Sequence, residues 1–149
     1  KVSLFANQLK TLIATMEAVE EKKSFDMTSW HEEKSRDIVD CGFAACICGH
    51  QAVAGKSGFF DVDVNDGFRN AASDISEELD AACQDVFGDD FLAESIYGGD
   101  QFDRWLIAKR SGLFTCKQLN HPHLNRDKPT IKQTISFLKL CLKKVKAVK

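Results

Sequence analysis

Apolar residues near both ends of the chain recur with the period of an α-helix. The chain has 149 residues, and in each terminal segment most apolar positions are three or four residues apart. This spacing places them on one face of a helix. It predicts a first helix from about Ser3 to Lys23 and a last helix capped by Thr130. The positions are Phe5, Leu9, Leu12, Ile13 and Met16 in the first segment, and Ile131, Ile135, Leu138, Leu142 and Val145 in the last.

Between these two helices the sequence predicts further short helices and no sheet. The Ala- and Cys-rich segment from Ala44 to Ala54 favours a short buried helix. Ser73 or Asp74, together with Glu77, resembles a capping box for a helix that Gly88 ends. No stretch alternates between apolar and polar residues for long enough to form a strand. We therefore expect a mainly α, compact single domain that covers all 149 residues, with about five or six helices and little or no sheet.

Two more helices are predicted after Gly88. Asp89 or Asp90 is placed to cap a short helix that ends before Gly98, and Asp100 begins a helix that ends near Gly112. The first of these helices carries the apolar residues Phe91, Leu92, Ile96 and Tyr97, and the second carries Phe102, Trp105, Leu106 and Ile107.

The segment from Thr115 to Pro129 has the composition of a loop. It contains the sequence His121-Pro122-His123, in which a proline lies between two histidines. We interpret this tripeptide as a solvated turn.

Charge is distributed unevenly along the chain. The net charge is −2, but thirteen acidic residues against one basic residue give −12 between Asp61 and Asp103, and the segment from Arg126 onwards carries +7. The two segments either face each other or expose opposite surfaces, of which the acidic one fits a basic partner. The predicted partner-binding residues are Asp74, Glu77, Glu78, Asp80, Asp85, Asp89, Asp90 and Glu94.

Three thiols and an imidazole lie within ten residues of one another, at Cys41, Cys46, Cys48 and His50. A structural zinc site usually takes its ligands from two separate Cys pairs, and no second pair is present, so this spacing disfavours zinc. Apolar packing of reduced thiols is the interpretation we adopt, with metal binding or a Cys46–His50 catalytic pair as the alternatives.

Two familiar ligand motifs are incomplete in this sequence. Gly55-Lys56-Ser57 resembles the end of a phosphate-binding P-loop, but His50 stands where the first glycine belongs. The stretch that begins at Asp61 resembles a calcium loop, but its sixth position is Asp66 instead of glycine. We therefore predict no cofactor.

The segments Phe25 to Trp30 and Cys41 to Ala52 resemble a pattern in small uncharacterised proteins of bacteriophages and bacteria. The pattern is F-D-M-x-x-W, a short spacer and C-G-T-x-A-C-x-x-G-H-x-A, and it covers about 30 residues here. The chain departs from it at Phe43, where the pattern has threonine, and adds Cys48. The resemblance implies a phage or mobile-element source and no particular enzyme activity.

These observations together predict a non-enzymatic, phage-type accessory protein that binds and inhibits a host protein through its acidic surface. The partner expected is one with a basic, nucleic-acid-binding surface. No apolar stretch approaches the roughly 20 residues that cross a bilayer, so we expect a location in the host cytoplasm and no membrane partner.

The alternative is direct nucleic-acid binding through the Lys-rich last helix. The pI of 6.1 disfavours it. So does our interpretation that Lys132, Lys139, Lys143 and Lys146 spread over more than one face of that helix.

Overall fold

The computed structural model is mainly α-helical in the residues that it describes. It describes residues 2–22, 47, 51, 60, 68–97, 101–126 and 129–148. Within these residues the helices are α1 (Val2–Lys22), α2 (Phe68–Phe87), α3 (Phe91–Tyr97), α4 (Gln101–Ser111), α5 (Pro122–Asn125) and α6 (Ile131–Lys146). A 3-10 turn at Gln118–Asn120 precedes α5. The predicted mainly α, compact fold is confirmed.

The first and last helices form the centre of the core. α1 packs along α6 and also contacts α2, while α3 contacts α2 and α4. The spacing that predicted both terminal helices also gives their buried faces, since Phe5, Leu9, Leu12 and Met16 of α1 are fully buried. Each such side chain contributes about 1.5–3 kcal/mol to stability when it leaves water.

The core extends into the Ala- and Cys-rich segment at two described positions. Ile47 and Gln51 are both helical and fully buried, one helical turn apart. The Thr15 hydroxyl in α1 donates a hydrogen bond to Gln51 Oε1 at 2.7 Å. The expected burial of this segment is confirmed at these two residues.

The helix ends agree with the predicted caps except at the start of α2. Gly88 ends α2 with a φ of +82°, a conformation that glycine adopts without steric cost. Asp89 Oδ1 accepts a hydrogen bond from the Phe91 amide at 3.0 Å and caps α3. The predicted start at Ser73 or Asp74 is wrong, because α2 begins at Phe68.

The segment predicted as a loop from Thr115 to Pro129 contains the 3-10 turn and α5. His121 caps α5, and its side chain accepts a hydrogen bond from the His123 amide at 3.1 Å. The interpretation of His121-Pro122-His123 as a solvated turn is wrong, because His123 is fully buried and His121 is half-buried.

No described helix is long and apolar enough to span a bilayer.

Candidate functional site

Three of the predicted partner-binding residues form an exposed stripe along α2. Asp74, Glu77 and Asp85 are exposed, and their spacing of three and then eight residues keeps them on one side of the helix. Ile75 and Leu79, on the opposite side, are fully buried in the core. We call Asp74, Glu77 and Asp85 the acidic stripe.

A second group of carboxyl groups lies where α2 meets α3. Asp80, Asp90 and Glu94 are half-buried, and one carboxylate oxygen from each lies within 4.8 Å of the others. The Tyr97 hydroxyl donates to the Asp80 carboxylate, 2.6 Å from both of its oxygens. We call Asp80, Asp90 and Glu94 the carboxyl cluster. The turn after Gly88 creates the cluster by bringing Asp90 back towards α2.

Two members of the cluster, Asp80 and Glu94, have pKa values above the ordinary range. Burial is the main cause that raises the pKa of Asp80, and the neighbouring charges of Asp90 and Glu77 add to it. Burial also raises the pKa of Glu94, followed by the charges of Asp90 and Asp80 and a hydrogen bond with Asp90. The charge of Asp90 therefore disfavours the ionised forms of Asp80 and Glu94, while the Tyr97 hydroxyl partly stabilises the Asp80 carboxylate.

The acidic stripe and the carboxyl cluster lack basic counterparts among the residues that the structure describes. No described Lys, Arg or His side chain forms an ion pair with any of their six members. The ion pair that α6 does form joins Lys139 Nζ to Glu17 Oε2 of α1 at 3.6 Å. The two remaining predicted residues, Glu78 and Asp89, are half-buried, and Asp89 caps α3.

The carboxyl cluster has the oxygen ligands that a hard divalent cation prefers. Each of its residues is half-buried, and the two Asp80 oxygens already accept the Tyr97 hydroxyl. Nothing else in the described part of the chain points to an ion at this position.

The Cys and His candidates for metal binding or catalysis, Cys41, Cys46, Cys48 and His50, lie outside the described residues. Of the thiols that the structure does describe, Cys83 and Cys141 are buried and Cys116 is exposed. Burial raises the pKa of Cys83 to about 11 and raises that of Cys141 well above its ordinary value. Both thiols are protonated at neutral pH, which makes them poor nucleophiles.

The lysines of the last helix share one face, so the prediction that they spread over several faces is wrong. Lys132, Lys139, Lys143 and Lys146 are all exposed. Their separations of seven, four and three residues each correspond to nearly whole helical turns, which keeps all four within an arc of about 60°. Lys144 instead lies beside the core, with Nζ 5.8 Å from the centre of the Phe114 ring.

A buried polar network around Arg104 has no signal in the local sequence pattern. Arg104 of α4 is fully buried and donates from Nε to the His123 carbonyl at 2.9 Å and from Nη2 to the Arg126 carbonyl at 2.7 Å. His123 stacks on Phe137, with ring centres 4.6 Å apart. These contacts hold α4, α5 and α6 together, so we assign the network a structural role.

Comparisons with known proteins do not extend this description. The chain matches no protein-family profile, no curated protein and no solved structure. The candidate surfaces are therefore defined by geometry and charge alone.

Proposed function

We propose that this protein is a phage-type accessory protein that binds a basic surface of a host protein through the acidic stripe and the carboxyl cluster, and thereby inhibits it. The observation that carries the proposal is a set of six carboxyl groups without a basic counterpart among the described residues. The resemblance of the Phe25 to Ala52 region to small phage proteins supports the proposed source.

The physical argument is that a basic partner supplies the charges that the free surface lacks. Lys or Arg side chains of a partner would relieve the repulsion that Asp90 and Glu77 exert on Asp80. Complementary surfaces of this kind accelerate encounter and give binding that weakens as salt is added. A protein that normally binds nucleic acid has such a basic surface, and occupying it blocks that activity.

The proposal also implies that binding of the partner depends on pH. A cation placed beside Asp80 and Glu94 lowers their raised pKa values towards the ordinary range. Protonated carboxyl groups attract a basic partner less strongly, so affinity falls as pH is lowered through the titration of these two groups.

The test is affinity capture from a lysate of the natural host, with elution in a rising salt gradient and identification by mass spectrometry. The informative variant is Asp74→Asn, Glu77→Gln and Asp85→Asn together, since all three side chains are exposed and their loss leaves the core unchanged. We expect it to lose a basic, nucleic-acid-handling protein that the unmodified chain retains.

The matched control changes the net charge by the same three units, but at a different surface. Ser3, Ala14 and Ala18 are exposed on one side of α1, and a triple change of these residues to Lys alters net charge equally. Retention of the partner by this control assigns the effect to the acidic stripe. Equal loss from both variants would mean that net charge alone governs capture and would contradict the proposal.

A further inference from the structure

We propose that the exposed lysines of α6 bind the phosphate backbone of a nucleic-acid duplex. The residues are Lys132, Lys139, Lys143 and Lys146, which we call the lysine ridge. A helix rises 1.5 Å per residue, so the ridge places four ammonium groups along roughly 21 Å of one helix face. This row of positive charge fits a row of regularly spaced phosphates.

No acidic residue of α6 offsets the positive charge of the lysine ridge. The α6 sequence Ile131–Lys146 contains no Asp or Glu. Lys139 pairs with Glu17 of α1, and both side chains remain about half exposed. Lys132, Lys143 and Lys146 form no ion pair with the described residues. Three of the four ammonium groups are thus free to meet an external anion, and the fourth is held by a weak, solvent-exposed pair.

The chemistry of the face favours phosphates over a lipid surface. A helix that lies on a membrane inserts apolar side chains beside its lysines. The apolar residues of α6 instead pack in the core, where Phe137, Leu138, Cys141 and Val145 are fully buried. Exposed Ser136 lies among the lysines and carries a hydroxyl instead of an apolar group.

The same chemistry favours binding without sequence preference. Contacts to phosphates position a protein on a duplex, whereas sequence is read by side chains that reach the base edges in a groove. The Gln133 side chain of α6 is already bonded to the Thr130 amide at 3.0 Å in the cap. We therefore infer backbone recognition only.

This inference is independent of the proposed function because it uses different residues on a different helix. The carboxyl groups of the proposed protein-binding surface lie on α2 and α3, whereas the ridge lies on α6. Variants of one surface leave the other intact, so either proposal can fail alone.

The experiment measures binding of a fluorescently labelled DNA duplex of about 20 base pairs by anisotropy at several salt concentrations. Four phosphate contacts predict a slope of roughly −3.6 for log K against log salt. The variant Lys143→Gln with Lys146→Gln removes two contacts, and we expect the slope to fall by about 2 and the affinity at 50 mM salt to fall at least tenfold. Glu17→Gln frees Lys139, so we expect two- to threefold tighter binding.

The matched control is Lys109→Gln with Arg110→Gln, which removes two exposed positive charges from α4. We expect it to bind like the unmodified protein. Thermal melting of all variants checks the fold, which substitutions at exposed positions leave in place.

Four outcomes would overturn the inference. The first is a control that loses as much affinity as the ridge variant, and the second is a failure to bind duplex at 50 mM salt. The third is tighter binding to vesicles containing anionic lipid than to duplex. The fourth is low-salt self-association that the ridge variant abolishes, which would assign the ridge to the acidic surface of a second copy of the chain.

Discussion

At the scale of single residues, His123 shows how burial changes the chemistry of a polar side chain. Its Nε2 lies 2.9 Å from the Ile96 carbonyl, which can only accept, so Nε2 carries the proton. Nδ1 then accepts from the Thr134 hydroxyl at 3.3 Å. Burial, followed by the charge of Arg104, lowers the pKa of His123 to about 3. The neutral ring is the form that the fold requires.

This geometry predicts acid sensitivity. Between pH 6.5 and about 3 the unfolded chain protonates His123 and the folded chain does not. The free energy of unfolding therefore falls by about 1.4 kcal/mol for each pH unit of acidification in this window. Urea unfolding at pH 7, 6 and 5 measures the slope.

The matched variant for this prediction is His123→Gln, which keeps hydrogen-bonding groups but does not titrate. We expect it to flatten the pH dependence, even though it lowers stability at pH 7. The raised pKa values of Asp80 and Glu94 act in the opposite direction and are common to both proteins, so the difference isolates His123. Identical slopes in the two proteins would contradict the assignment.

Arg104 and Phe102 have the opposite burial to that expected from the polarity of their side chains. Arg104 is fully buried, whereas the apolar Phe102 of the same helix is 61% exposed. Apolar spacing alone could not reveal this, because the register of α4 depends on two backbone carbonyls that only the folded α5 region brings to Arg104. Tertiary hydrogen bonds of this kind leave no local pattern in a sequence.

We accordingly predict stability effects of very different size for substitutions two residues apart. Arg104→Leu leaves two carbonyl groups without their donor and should lower the free energy of unfolding by about 3 kcal/mol. Phe102→Ser, at an exposed position, should change it by less than about 0.5 kcal/mol. Chemical denaturation of both variants checks the contrast, and comparable losses would show that Phe102 is held in the core.

At the scale of helices, local sequence predicts what local interactions determine. The ends of α1 differ from prediction by one residue, and Thr130 caps α6 through a capping box with Gln133. The 3-10 turn has the same Thr-x-x-Gln pattern before it. The Thr115 amide donates to Gln118 Oε1 at 3.0 Å, and the Gln118 amide donates to the Thr115 hydroxyl at 3.1 Å. Pro122 at the start of α5 is another recognisable signal. These short elements could have been predicted.

The α6 cap gives a prediction at this scale. The Thr130 hydroxyl accepts from the Gln133 amide at 3.1 Å, and Thr130→Ala removes this bond. We expect a loss of about 1 kcal/mol in the free energy of unfolding, measured by denaturant titration. Thr130→Ser keeps the hydroxyl and should retain most of the stability. An equal loss for Ser would mean that the threonine methyl, and not the cap, stabilises the helix.

At the scale of the whole molecule, the charge counts predicted which segments are acidic and basic but not how they are arranged. α1 contacts both the acidic helix α2 and the basic helix α6. The eight predicted acidic residues divide into an exposed stripe, a half-buried cluster, and Glu78 and Asp89, a division that depends on the turn between α2 and α3. Linear charge counts hold no information about that turn.

At the carboxyl cluster, we predict that one substitution raises the stability of the free protein and weakens binding to the partner. Asp90 raises the pKa of both Asp80 and Glu94 by its charge, so its neutralisation relieves repulsion in the free protein. Asp90→Asn should therefore raise the free energy of unfolding at pH 7 by about 0.5 kcal/mol at low salt, a small value because the site is half-solvated. The same change removes part of the surface proposed to meet a basic partner, so captured partner should elute at lower salt.

Salt separates this electrostatic explanation from a packing one. Repulsion is screened at 1 M salt, where the Debye length is about 3 Å, so the stability gain of Asp90→Asn should largely disappear there. Asp85→Asn, an exposed carboxylate on α2, is the control and should change stability little at either salt concentration. If Asp90→Asn destabilises the protein equally at low salt and at 1 M salt, Asp90 stabilises the α2–α3 turn, and the cluster has a structural role. A gain that salt abolishes, with weaker capture, would indicate that the cluster's unrelieved charge costs stability in the free protein and contributes to binding.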